Sequence, residues 1–210
     1  MMSKTHITVG IAASLAIMNP STVGELLPAI IGGSVGGILC DIECKSRKGM
    51  RDALTGRMIA FSIVLIALCL GFLTGYGIFT GTAGLIQDKG WFRFCFGAFD
   101  FLAACILGRL SRHRTFTHSF LFIALIALGL HCAVPSLCFP TVIGMLSHLI
   151  LDSLNKKPVP WLYPFFQPGF CLGLCRAQGL LNRILMWSGL VASILLVGMR
   201  MQLLSASLAA

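Results

Sequence analysis

The run from Met58 to Thr80 contains no charged residue and is long enough to cross a bilayer as one helix. Further apolar runs occur at His6 to Met18, Leu26 to Leu39, Phe94 to Leu107, Phe120 to Val134, Val142 to about Leu154 and Met186 to Met199. In hydrocarbon each segment must satisfy its own backbone N–H and C=O groups, so such a succession folds as a helical bundle. With 57% hydrophobic residues, 11% charged residues and a mean hydropathy of +0.90, the chain lies outside the range of soluble domains. The expected fold class is therefore all-α: a polytopic integral membrane bundle of about seven apolar segments forming one transmembrane domain over residues 1–210.

Charge sets the expected topology. Lys45, Arg47, Lys48, Arg51 and Arg57 make one basic loop, Arg109, Arg112 and Arg114 a second, and Lys156 with Lys157 a third; all three read as cytoplasmic. Gly81 to Gly90 reads as an external loop followed by interfacial Trp91 and Phe92, and Pro135 to Pro140 as an uncharged outer connection. This alternation places the N-terminus inside and the C-terminus outside. The first two segments are short for spanning and read as a tight hairpin, turned at Asn19 to Thr22, with Gly32, Gly33, Gly36 and Gly37 allowing close packing. Residues 155–182, rich in proline and aromatics, read as a structured cytoplasmic or interfacial loop over the helix ends.

The net charge of +9 fits positive-inside loops and anionic headgroups, so membrane lipid is the expected partner. Nucleic acid is not, because the basic residues are scattered over several loops without interleaved exposed aromatics. The sequence specifies no oligomeric state. Of nine cysteines, Cys69, Cys95, Cys105 and Cys132 lie inside apolar runs as small hydrophobes, and Cys171 with Cys175 lacks the second pair that a structural zinc site needs. Lys4 alone is a thin n-region for a cleavable signal peptide, and apolar sequence resumes soon after Met18.

Polar groups among apolar runs are costly and need a reason. His6, Asp41, Glu43, His113, His118, His148 and Asp152 all fall at cytoplasmic helix ends in a topology drawn from other residues; Asp100 and His131 do not. His148 and Asp152, spaced i and i+4, share a helix face and form a ligand pair suited to Zn, Mn or Fe. They occupy the last turns of their helix, where the macrodipole favours a cation, and Asp41 closes its own run in the same way. The stretch Arg112 to Ser119 has the opposite polarity. A helix opening at His118, with Thr115 or Thr117 as N-cap, would offer free N–H groups to an anion beside Arg112 and Arg114. A cation site beside an anion pocket is what metal-assisted phosphoester hydrolysis requires. His131 reads as a helix-packing partner and Asp100 as the partner of an arginine.

At these residues the chain resembles the bacterial LexA-regulated, membrane-bound metal-dependent hydrolase family. That family carries an N-terminal Thr/Gly-His, P-D-x-D after the second apolar run, H-R-x-x-T-H-S, and S-H-x-x-x-D before a proline-rich aromatic stretch. Here these correspond to Thr5-His6, Cys40 to Glu43, His113 to Ser119, and Ser147-His148 with Asp152, followed by Pro158 to Phe165. Cys40 replaces the proline, and Glu43 replaces the second aspartate, reaching one methylene further. The resemblance covers residues 5 to 166 and implies a multi-pass protein of the bacterial inner membrane with a metal-dependent hydrolytic activity.

Together these observations predict a divalent metal ion, zinc first and Mn or Fe otherwise, held by His6, Asp41, His118, His148 and Asp152 at the cytoplasmic leaflet. Glu43 or His113 is expected as general base or acid, and Arg114 with Thr117 as holder of the scissile group of a phospholipid or related phosphoester. A transporter would instead need ionisable residues near the midplane, where only Asp100 is a candidate, and a scaffold with a structural metal would need no convergent site.

Overall fold

The computed structural model describes residues 2–43, 88–112, 114–175 and 179–209. Its described part holds six α-helices and no strand: α1 (Ser3–Met18), α2 (Val23–Leu39), α3 (Asp88–Leu110), α4 (Phe120–Ala133), α5 (Pro135–Ser153) and α6 (Leu180–Ala209). Single 3₁₀ turns follow α2 (Cys40–Glu43) and precede α4 (Phe116–His118). The chain is a helical membrane protein. Three described helical stretches are long and apolar enough to cross a bilayer, Val23–Glu43, Pro135–Ser153 and Leu180–Leu203.

The opening hairpin forms as its turn chemistry predicts. Asn19 takes a left-handed conformation at φ 49° and returns its N–H to Leu15, closing α1. Thr22 then caps α2 by accepting from the Glu25 N–H, while the Glu25 carboxylate accepts from the N–H and hydroxyl of Ser21. With its 3₁₀ turn, α2 becomes a 21-residue stretch of spanning length, longer than the short segment expected from sequence.

Gly32, Gly33, Gly36 and Gly37 of α2 divide between two faces. A Cβ on Gly37 would lie 2.4 Å from the His6 carbonyl oxygen of α1, and one on Gly36 only 2.1 Å from the Thr141 carbonyl oxygen of α5. Backbone therefore lies against backbone on both sides of α2, which no larger residue permits. Val35, Ile38, Phe101, Phe122, Ile126, Met145 and Leu149 form the apolar core joining α2, α3, α4 and α5. Outward faces of α3 and α6 expose Phe92, Phe99, Trp187, Ile194 and Leu195, a surface that suits lipid.

Several boundaries differ from expectation. Pro135 to Pro140 is not a connection: Pro135 opens α5, where its missing N–H has no partner to lose, and only Val134 separates α4 from α5. Asp88 to Gly90, expected in an external loop, form the first turn of α3. His118 does not open a helix, and neither Thr115 nor Thr117 is the cap; Ser119 caps α4 by accepting from the Phe122 N–H. The expected arginine partner of Asp100 is not found among the described residues. His131 does pack through a polar contact, with Arg93 Nη2 3.2 Å from its Nε2. The basic loop from Lys45 to Arg57, the Met58 to Thr80 span, residues 81–87 and His113 lie outside the described residues.

Residues 155–175 run extended over one end of the bundle. Val159 and Phe170 exchange two backbone hydrogen bonds of 3.0 Å, and Leu172 and Cys175 donate to Ser153 and Leu154 at the end of α5. Trp161 links α4 and α5, its carbonyl accepting from the Phe120 N–H at 2.9 Å and its indole N–H donating to Ser153 at 3.1 Å. The aromatic and proline content expected to break a helix here builds a pinned lid.

Candidate metal centre

The antiparallel path brings the start of α1, the end of α2, the 3₁₀ turn before α4 and the end of α5 to one end of the bundle. His6, Asp41, His118, His148 and Asp152 converge there, although up to 146 positions separate them in sequence (His6 to Asp152: 152 − 6 = 146). Two overlapping triads, His6–Asp41–His148 and His118–His148–Asp152, each have donor atoms within 4.8 Å of one another. All three imidazoles are fully buried.

Each ring is oriented by a specific neighbour. His148 Nδ1 lies 2.7 Å from the Gly37 carbonyl oxygen, which can only accept, so Nδ1 carries the proton and Nε2 turns a lone pair into the cluster. His6 stacks on His148 at a centroid distance of 3.8 Å, and His118 meets it edge-on at 5.2 Å. His118 Nε2 faces Asp152 Oδ2 at 3.5 Å and Asp41 Oδ1 at 3.9 Å, while its Nδ1 faces Glu43 Oε1 at 3.3 Å. Asp152 is fixed by Arg114 at 2.7 Å and by the Asn155 amide at 3.0 Å.

The donor set fits a divalent cation. Among the described residues, both nitrogens of His6 and Nε2 of His148 are buried without a hydrogen-bond partner, and His6 Nε2 lies 3.4 Å from Asp152 Oδ1. Orphaned buried nitrogens beside carboxylates are what a ligand shell leaves when described without its ion. Burial opposes charging of His118, yet its contacts with Asp152 and Glu43 and the charge of Asp41 push its pKa up to about 9. The pocket attracts positive charge. Because His148 offers only Nε2, the two triads share one donor atom and do not make two complete three-ligand sites.

The structure places Glu43 and Thr117 on the Nδ1 side of His118. The Glu43 carboxylate accepts from the Thr117 and Ser111 hydroxyls and from the Arg114 N–H, on the Nδ1 side of His118 and away from the side facing Asp41 and Asp152. Thr117 is fully buried, and its hydroxyl lies 3.0 Å from His118 Nδ1. Both residues therefore position His118, as an outer carboxylate does for a metal-binding histidine. Arg114 lies with one face on Asp152 and another lining a cleft of about 570 Å³, whose walls include Ser111, Arg112 and Thr115 on one side and Pro158 to Gly169 on the other. Its backbone is left-handed, at φ 60°, held by its N–H to Glu43 and its guanidinium to the Lys157 carbonyl.

Sequence reading missed Ser111, Asn155 and Gly37 as supports. Asn155, three residues after Asp152, carried a readable local signal. A carbonyl acceptor such as Gly37 leaves none.

One family profile matches residues 1–209. The chain belongs to the YdjM inner membrane protein family. Membership over nearly the whole chain agrees with the helical membrane fold and places this YdjM-family protein in the inner membrane. Neither the curated proteins nor the solved structures contain a match.

Proposed function

We propose that this YdjM-family protein is a divalent-metal-dependent hydrolase acting on a phosphoester. The observation that carries the reading is the convergence of three buried histidines and two carboxylates, with orphaned nitrogens on His6 and His148, beside a cleft lined by Arg112 and Arg114. His6, Asp41, His118, His148 and Asp152 would hold the ion, with zinc favoured by the imidazole-rich set and Mn or Fe compatible with it. A divalent cation bound there supplies Lewis acidity and brings the pKa of water toward neutrality.

The chain's own residues do the rest. Arg114 neutralises and orients an anionic phosphoryl group entering from the cleft. Glu43 and Thr117 fix the His118 ring, and Gly37 fixes the tautomer of His148. Proton transfer then falls to His113, next to Arg114 in sequence. The basic loops orient this end toward the cytoplasm, with the N-terminus inside and the C-terminus outside.

The test is metal stoichiometry of the purified full chain and of His148→Ala, with turnover of phospholipids and soluble phosphoesters measured alongside. We expect about one ion per chain in the wild type, at least a tenfold loss of affinity in the variant, and metal-dependent phosphoester cleavage. Metal retained by His148→Ala would sink the ligand set. Metal bound without cleavage of any phosphoester would make the ion structural or transported.

A further inference from the structure

From Pro158 to Cys175 the chain carries no charged residue, although this stretch lies outside any helix and follows the adjacent Lys156 and Lys157. It turns Leu162, Phe165, Phe166, Phe170, Leu172 and Leu174 outward, with Phe165 88% and Leu174 67% exposed. In water that arrangement would be a liability. The stretch lies in sequence between two helices of spanning length, Pro135–Ser153 and Leu180–Leu203, whose ends near it also expose Ile150 on α5 and Leu180 and Ile184 on α6. Hydrogen bonds to Ser153, Leu154 and Phe120 hold it at that level, so the exposed side chains belong to a built surface.

The cleft lies directly behind. Pro158, Pro160, Tyr163, Gln167 and Gly169 of this loop form one wall; the opposite wall includes Ser111, Arg112, Arg114 and Thr115. Among the described residues the lining holds two guanidinium groups, three hydroxyls and no carboxylate, a composition that selects an anion. Arg112 is exposed, and Arg114 reaches through to Asp152 of the metal centre.

We propose that residues 158–174 form a lip embedded in the bilayer interface, and that an anionic phospholipid enters the cleft laterally from the leaflet with its headgroup on Arg112 and Arg114. Exposed lysines at 156 and 157 meet the surrounding headgroups, and the phenylalanines and leucines meet acyl chains. The use of the cleft rests on the hydrolytic reading above; the lip and the lipid do not.

The experiment places the photoreactive p-benzoylphenylalanine at Phe165, at Tyr163, or at lipid-facing Ile194 of α6 as a reference. The full chain is reconstituted in bilayers of equimolar phosphatidylglycerol and phosphatidylcholine and irradiated, and its adducts are identified by mass spectrometry. Phe165 should capture both lipids, as Ile194 does. Tyr163 should capture phosphatidylglycerol with about a fivefold preference, the effect of one basic side chain at a membrane surface, and Arg112→Gln should abolish that preference. Lipid adducts at Ile194 without any at Phe165, or polypeptide adducts at Phe165, would overturn the lip. Equal capture of both lipids at Tyr163, a preference that survives Arg112→Gln, or competition by soluble glycerol phosphate would overturn lateral entry. No arm reads metal or turnover, so loss of the lipid route leaves cleavage of a soluble phosphoester standing, and loss of hydrolysis leaves the lip standing.

Discussion

Replacing Glu43 by glutamine separates the two roles that a buried carboxylate near this centre can play. Glu43 gathers the Thr117 and Ser111 hydroxyls and the Arg114 N–H, and it faces His118 Nδ1 at 3.3 Å. The amide keeps the shape and one acceptor but removes the charge that orients His118 and raises its basicity. Loss of such an outer partner typically weakens metal affinity about 10- to 100-fold, or ~1.4–2.7 kcal/mol at 1.36 kcal/mol per decade. Glu43→Asp keeps the charge but withdraws it by one methylene, so it should fall between wild type and Glu43→Gln. The assay is chelator-competition titration of zinc into the full chain in bilayers, with phosphoester turnover measured at saturating metal. We expect weaker affinity in the order wild type, Glu43→Asp, Glu43→Gln, and turnover within about tenfold of wild type once metal is saturating. Unchanged affinity in Glu43→Gln would refute the positioning role. Unchanged affinity combined with a turnover loss beyond about a thousandfold would restore Glu43 to direct proton transfer, which usually contributes 10²–10⁴-fold.

Other perturbations test the frame around the centre. A methyl group on Gly36 would meet the Thr141 carbonyl at 2.1 Å, so Gly36→Ala must part α2 from α5 and with them Asp41 from His148. The expected cost is about 1–3 kcal/mol in reversible detergent unfolding, with weakened metal binding; a fully stable variant with wild-type affinity would contradict the close contact. Ser119→Ala removes the cap of α4 and should lower stability by about 1 kcal/mol, with metal affinity changing less than in Glu43→Gln. Metal removal should lower the unfolding temperature, because an ion that binds only the folded centre stabilises it by mass action, and identical melts with and without chelator would count against a bound ion.

Sequence reading recovered the elements whose causes are local. The apolar runs, the Asn19 to Thr22 turn and the i, i+4 pair of His148 and Asp152 follow from periodicity and capping. The gathering of His6, Asp41, His118, His148 and Asp152 at one end also followed, because alternating basic loops fold distant residues to a common side without any contact being known. Helix ends were less legible. Pro135 was read as a turn residue, although proline at the first helical position is equally natural, and Ser119 was passed over for the nearer threonines. Roles within the cluster were the least legible. Glu43 and Thr117 looked catalytic by type and proximity, yet which side of His118 they face depends on a 3₁₀ turn that no spacing rule specifies.

The centre can be weighed as a purely structural network against one built for a cation. A structural network would pair its own donors and acceptors, as Arg93 and His131 do on α3 and α4. Around His6 and His148 three buried nitrogens find no such partner among the described residues. At about 1–3 kcal/mol for each unsatisfied group, they would consume a large part of the 5–15 kcal/mol by which a typical folded domain is stable. Asp41 and Asp152 add charge at the negative ends of α2 and α5, where a carboxylate is disfavoured without a cation nearby. Arg114 answers Asp152 on Oδ2 and the Asn155 amide donates to Oδ1, while the other guanidinium contact of Arg114 goes to the Lys157 carbonyl. The costs point one way: a cation between the rings of His6, His118 and His148 would take up Nε2 of His148 and one nitrogen of His6, and would offset the carboxylate charge at the ends of α2 and α5.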